Sequence, residues 1–78
     1  MNKFQYINSN LERIKKDVNM GIVSTYCLCH FYAYSRYDYY RRQGLKKGES
    51  TFFTSEDLKV SEQMIHRIRK EMEEMYEV

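Results

Sequence analysis

The stretch Thr51 to Lys70, TFFTSEDLKVSEQMIHRIRK, constrains the fold more than any other part of the chain. Leu58, Val60, Ile65 and Ile68 fall where two short crossed helices joined by a tight turn must touch. Ser61 carries the hydroxyl expected of an N-cap, so it opens the second helix. Met64 apart, the other residues of that helix up to Lys70 are polar or basic: Glu62, Gln63, His66, Arg67, Arg69 and Lys70. Such a layout fastens one helical face to a body and leaves the opposite face bare.

The remainder of the chain reads as helical too. There is no proline, and the three glycines, Gly21, Gly44 and Gly48, fall where punctuation is wanted. Phe4, Ile7, Leu11, Ile14 and Val18 recur at three- and four-residue steps, one face of an amphipathic helix within residues 1–19. Ser9 and Glu12 have capping-box spacing, which allows that helix to start at Asn10. Asn19, Met20 and Gly21 supply a stop. The segment 22–43 holds six of the eight tyrosines, with Gly44 as its terminator. On a helix, Tyr26, His30, Ala33, Tyr37 and Tyr40 form one stripe, and Leu28, Phe31, Tyr32 and Tyr39 another. Apolar character on more than one side belongs to a helix central to a bundle or shared across a dimer. A strand is rejected because two-residue alternation is lacking and no second strand is available to pair. The next helix lies between Ser50 and Leu58, with Thr54 as an alternative N-cap ahead of Glu56 and Asp57. The last runs from Ser61 to about Tyr76, with Met64, Ile65, Ile68, Met72 and Met75 on its inner side. The expected architecture is a small all-α bundle forming a single domain over 1–78.

Size and composition exclude several classes. A chain of 78 residues buries only about 60–65% of its unfolded surface, so dimerisation would help it. Apolar content is 42%, which argues against disorder. No apolar run approaches the roughly 20 residues of a membrane span. MNKFQYINSN lacks the apolar core of a signal peptide, so a cytoplasmic location is expected. Cys27 and Cys29 are too close for a comfortable disulfide within one element and read as reduced thiols. In the run CLCH, Cys27 and His30 share a helical face but Cys29 points elsewhere, so no metal site is expected. No nucleophile setting and no phosphate-cradling glycine loop occurs, and neither catalysis nor a cofactor is expected.

Charge is distributed unevenly. The net value is only +2, yet Arg36, Arg41, Arg42, Lys46 and Lys47 cluster, diluted by Asp38. The acidic end holds Glu71, Glu73, Glu74 and Glu77, and, following the start of the basic helix by two or more turns, is expected to project away from the face that would meet nucleic acid. One basic face hidden by a modest net charge is the footprint of a nucleic-acid binder.

With these residues in view, TSEDLKVSEQMIHRIRK resembles the helix-turn-helix of phage repressors and other small regulators of mobile elements. Ser55 stands at the small residue that packs on the second helix, Leu58 at the apolar residue before the turn, and Ile65 and Ile68 at the two buried positions. Val60 matches the branched apolar residue after the turn. The departure is Lys59 where glycine is usual, a position of positive φ that costs a side chain roughly 1 kcal/mol. The resemblance implies sequence-selective binding of double-stranded DNA and a role in transcription regulation. It implies base contacts from Ser61, Glu62, Gln63, His66 and Arg67 in the major groove. Arg41, Arg42, Lys46, Lys47, Lys59 and Lys70 are the corresponding phosphate contacts. A homodimer would set two recognition helices about 34 Å apart. The competing expectation is a non-catalytic protein-interaction module on the same helices. A further alternative has the tyrosine-rich run stacking bases.

Overall fold

In the computed structural model, which describes residues 1–75, the N-terminal amphipathic segment is two helices rather than one, α1 (Lys3–Ser9) and α2 (Leu11–Asn19). The break is Asn10, at φ −121° and ψ 24°, whose side-chain amide donates to the Tyr6 carbonyl at 2.9 Å. An asparagine satisfies backbone groups with its own side chain and so competes with helix continuation. The capping box is not Ser9–Glu12. It is Asn2–Gln5, in which Gln5 N–H donates to Asn2 Oδ1 at 2.8 Å and Asn2 N–H to Gln5 Oε1 at 2.9 Å. The expected face survives the break: Ile7 and Ile14 are buried, and Phe4, Leu11 and Val18 pack partly buried beside them.

Asn19 ends α2, and Gly21 turns the chain at φ +77°. The tyrosine-rich helix α3 spans Thr25–Arg42, three residues later at its start than the sequence predicts. Ser24 fixes that start by accepting from Tyr26 N–H at 3.2 Å, which leaves Ile22 exposed in the connection. At its end Gly44 adopts φ +94°, with Gly44 N–H donating to Arg41 O and Leu45 N–H to Tyr40 O. This is a Schellman closure. The buried residues of α3 are Phe31, Ala33, Tyr34 and Tyr37. They take one residue from one expected stripe, two from the other, and Tyr34 from neither. Tyr26, Tyr32 and Tyr39 are exposed.

Helix α4 spans Lys47–Leu58, beginning before Ser50. Glu49 caps its start, accepting from Lys46 N–H at 3.2 Å. Thr54 is not an N-cap; it is fully buried mid-helix. The buried side of α4 is made of hydroxyl residues: Ser50, Thr51, Thr54 and Ser55. Thr51 donates to Lys47 O (2.9 Å), Thr54 to Ser50 O (2.7 Å) and Ser55 to Phe52 O (2.7 Å). Each such bond meets the desolvation cost of a buried hydroxyl. Small size then lets α4 lie close against α3 and against the last helix.

Helix α5 spans Glu62–Met72. Between α4 and α5, Lys59 holds the left-handed conformation (φ 56°, ψ 43°), and Val60 N–H returns to Ser55 O at 3.1 Å. Ser61 caps α5 as expected, accepting from Met64 N–H at 3.1 Å. Ile65, Ile68 and Met72 are buried. The remaining expected contacts are corrected. Leu58 and Val60 are about two-fifths exposed, because they sit at the tip of the helix pair where no further element covers them. Met64 is exposed at the first turn of α5, and Met75 lies beyond the helix. The helix stops at Met72 because the chain turns back onto the N-terminus: Lys3 N–H donates to Glu74 O at 3.2 Å, and Asn2 and Met75 form an antiparallel bridge. Tyr76 and Glu77 lie outside the described residues. Among the described residues no helix is long and apolar enough to cross a membrane.

Candidate nucleic-acid interface

The outer stripe of α5 follows from its inner one. With Ile65, Ile68 and Met72 fixed against the core, helical geometry turns Gln63, His66, Arg67 and Lys70 outward. All four are exposed, as are Ser61 and Glu62 at the start of the helix. Ser61 offers little hydroxyl to a ligand, since that oxygen already accepts the Met64 N–H. Arg67 and Lys70 make no ion pair among the described residues. His66 Nδ1 lies 3.5 Å from the Arg69 guanidinium.

Arg69 departs from its neighbours. Its guanidinium sits 4.7 Å from the centroid of the Tyr37 ring and donates to Thr51 Oγ1 at 3.2 Å, with Glu73 at 3.8 Å. It therefore joins α5 to α3 and α4 and is not part of the outer stripe. The signal was present in the spacing: Arg69 follows Ile65 by four residues, on the edge of the buried face.

The acidic residues that follow lie on the other side of α5 from the outer stripe: Glu71 and Glu73 pair toward α1 and α3, while Glu73 and Glu74 stay exposed. Glu71 meets both Lys3 Nζ and, at 2.8 Å, His30 Nδ1. Burial alone would raise its pKa, but the hydrogen bonds from Lys3 and His30 outweigh burial and hold the carboxyl below its ordinary value. Glu73 accepts from the Tyr34 hydroxyl at 3.0 Å. Burial first, and that bond second, push the Tyr34 phenol strongly up. Lys3 and His30 beside Glu71, and Arg69 beside Glu73 at 3.8 Å, set these acidic groups against cations on the α1 and α3 side of α5, while Arg67 and Lys70 lie on the other.

The basic residues outside α5 divide into two groups. Arg41, Arg42, Lys46 and Lys47 gather at the corner between α3 and α4, all exposed. Arg42 is paired with Asp38 at 2.8 Å, and Arg41 donates to Leu45 O at 2.8 Å, so neither is fully available. Lys46 and Lys47 make no ion pair among the described residues. Lys59 stands at the other end of α4, about 18 Å away at roughly 1.5 Å per residue. Arg36 joins neither group, because it is consumed by Asp57 at 2.9 Å. The Tyr40 hydroxyl also donates to Asp57, and these two bonds lower the Asp57 pKa.

Cys29 is exposed, Cys27 is half-buried, and His30 is engaged by Glu71. Among the described residues no three potential metal ligands converge. No known protein family, curated protein or solved structure matches the chain.

Proposed function

We propose that α4, the turn at Lys59 and α5 act as a helix-turn-helix that binds duplex DNA, with the start of α5 in the major groove. One observation carries the reading: Gln63, His66, Arg67 and Lys70 share a bare face of α5, opposite buried Ile65, Ile68 and Met72. The chemistry of that face suits base edges. Gln63 can pair with adenine through two hydrogen bonds, and Arg67 with guanine. His66 can donate to an acceptor, and Glu62 can accept from the cytosine amino group. Lys70 reaches a phosphate further along. Lys46, Lys47 and Lys59, at the two ends of α4, supply further phosphate contacts, with Arg41 and Arg42 beside them. These position the chain without reading sequence.

One such module contacts too few base pairs for selectivity, so the functional unit is a homodimer on a two-fold operator, acting in transcription regulation. Fluorescence anisotropy of a labelled duplex against rising salt tests the binding mode. Several phosphate contacts give a steep loss of affinity, close to one power of salt concentration per contact. Arg67→Ala should weaken binding about tenfold or more at fixed salt, with unchanged helical content. Salt-independent binding, or an Arg67→Ala variant that binds duplex as the parent does, sinks the reading.

A further inference from the structure

The outward side of α4 is a second exposed surface, on a different helix from the stripe proposed to read DNA. Glu49, Phe52, Phe53 and Glu56 lie three, one and three residues apart, which sets them on one helical face. All four are exposed, while Ser50, Thr51, Thr54 and Ser55 fill the side toward the core. The helix thus buries hydroxyls and shows water two phenylalanines. The rings continue onto α3: Phe52 to Phe53 is 5.6 Å, Phe53 to Tyr40 is 5.6 Å, and Tyr40 to Tyr39 is 5.3 Å. Asp57 holds the array still, taking the Tyr40 hydroxyl and Arg36 Nε, and the Arg36 guanidinium lies over both Tyr39 and Tyr40. Single exposed apolar residues are ordinary, but four contiguous rings on a rigid support mark an interaction surface.

The charges select what covers it. A second copy seated antiparallel and centred on the phenylalanine pair sets the two copies' Glu49 and Glu56 against each other. A parallel copy sets each of these against itself. Both arrangements oppose like charges. Nucleic acid is disfavoured as well, since Glu49 and Glu56 flank the rings on the face and repel phosphates. Their complement is a helix whose apolar pair is flanked, one turn out on each side, by basic residues. We propose that the Glu49–Phe52–Phe53–Glu56 face docks an α-helix of a different protein with that basic–apolar–apolar–basic pattern. The mode is a helix read through anchors at successive turns, with the aromatic rings as its energetic centre.

Selection of a phage-displayed library of randomised helical peptides against the full chain tests this. Enriched peptides should carry an apolar pair with Lys or Arg three residues to either side. Phe52→Ser with Phe53→Ser should weaken them about tenfold or more. Glu49→Lys with Glu56→Lys should shift enrichment to acidic flanks, a readout that stands even if the serine variant folds poorly. Four results would overturn the proposal: no enrichment; enrichment without basic flanks; an oligomer of the chain that the serine variant dissociates; or loss of duplex binding by the serine variant while its helical content persists. Duplex binding is measured separately, so failure of this docking face and failure of the DNA reading remain distinct.

Discussion

Arg69 lies with its guanidinium 4.7 Å from the centroid of the Tyr37 ring, so a charged side chain of α5 is packed on the core surface of α3. The same group donates to Thr51 of α4, so one side chain binds α3, α4 and α5 together. A partly desolvated cation–π contact contributes about 0.5–2 kcal/mol, and a hydrogen bond about 0.5–1.5 kcal/mol more. Arg69→Ala should therefore lower stability by about 1–3 kcal/mol in urea denaturation. Arg69→Lys should recover only part, since an ammonium lacks the planar stacking surface. A loss below about 0.5 kcal/mol, the scale of an ordinary surface change, would show the contact to be incidental.

Lys59 holds the left-handed conformation between α4 and α5 without being glycine. Removing the side chain relieves roughly 1 kcal/mol of steric cost, less the extra freedom that glycine has when unfolded. Lys59→Gly should raise the thermal midpoint by a few degrees. An unchanged or lowered midpoint would mean that the strain is already met by local contacts.

Met72 and Met75 separate the core from its edge. Met72 is fully buried and Met75 is 70% exposed. Met72→Ala should cost about 2–5 kcal/mol, whereas Met75→Ala should fall within about 0.5 kcal/mol of the parent. Comparable effects in the two variants, read by chemical denaturation, would contradict the end of α5 at Met72.

Glu71 supplies an acid limb to the stability profile. Its carboxyl titrates below its ordinary 4.5 when folded, because the bonds from Lys3 and His30 outweigh the opposing effect of burial. A carboxyl lowered by folding contributes stability that is fully present above its unfolded pKa and is lost as pH falls through the folded value. Stability should therefore drop as pH is taken below about 4.5, and Glu71→Gln should flatten part of that drop. Parent and variant profiles of identical slope below that pH would remove Glu71 from the account.

These tests also mark where the chain was legible before its fold was known. Ser61 as N-cap, positive φ at Lys59, the terminator at Gly44 and the burial of Ile65 and Ile68 were all readable, because each rests on the chemistry of one residue or on spacing within one helix. The boundary at Asn10 was half readable: a helix start there was open, but the apolar period runs through it without interruption, and the separate helix α1 before it shows only in the side-chain bond to Tyr6. Leu58 and Val60 carry the right chemistry for contact, but burial needs a neighbour, and the tip of the α4–α5 pair has none. The inward side of α4 was hidden for the opposite reason. Thr51, Thr54 and Ser55 look like surface residues until their hydroxyls are seen bonded within the fold, and Phe52 and Phe53 look like core. The pairing of Glu71 with Lys3 and His30, and of Glu73 with Tyr34, joins residues far apart in the chain, a long-range relationship that no local pattern carries.

The bare stripe Gln63, His66, Arg67 and Lys70 as the reading surface for duplex DNA is the central claim, and selection from a pool of random duplexes at near-physiological salt tests it most directly. Enrichment of a palindrome whose half-sites are spaced by about one helical turn, abolished by Arg67→Ala, is the expected result. A pool that returns without an enriched sequence, or one enriched equally by the Arg67→Ala variant, would contradict it.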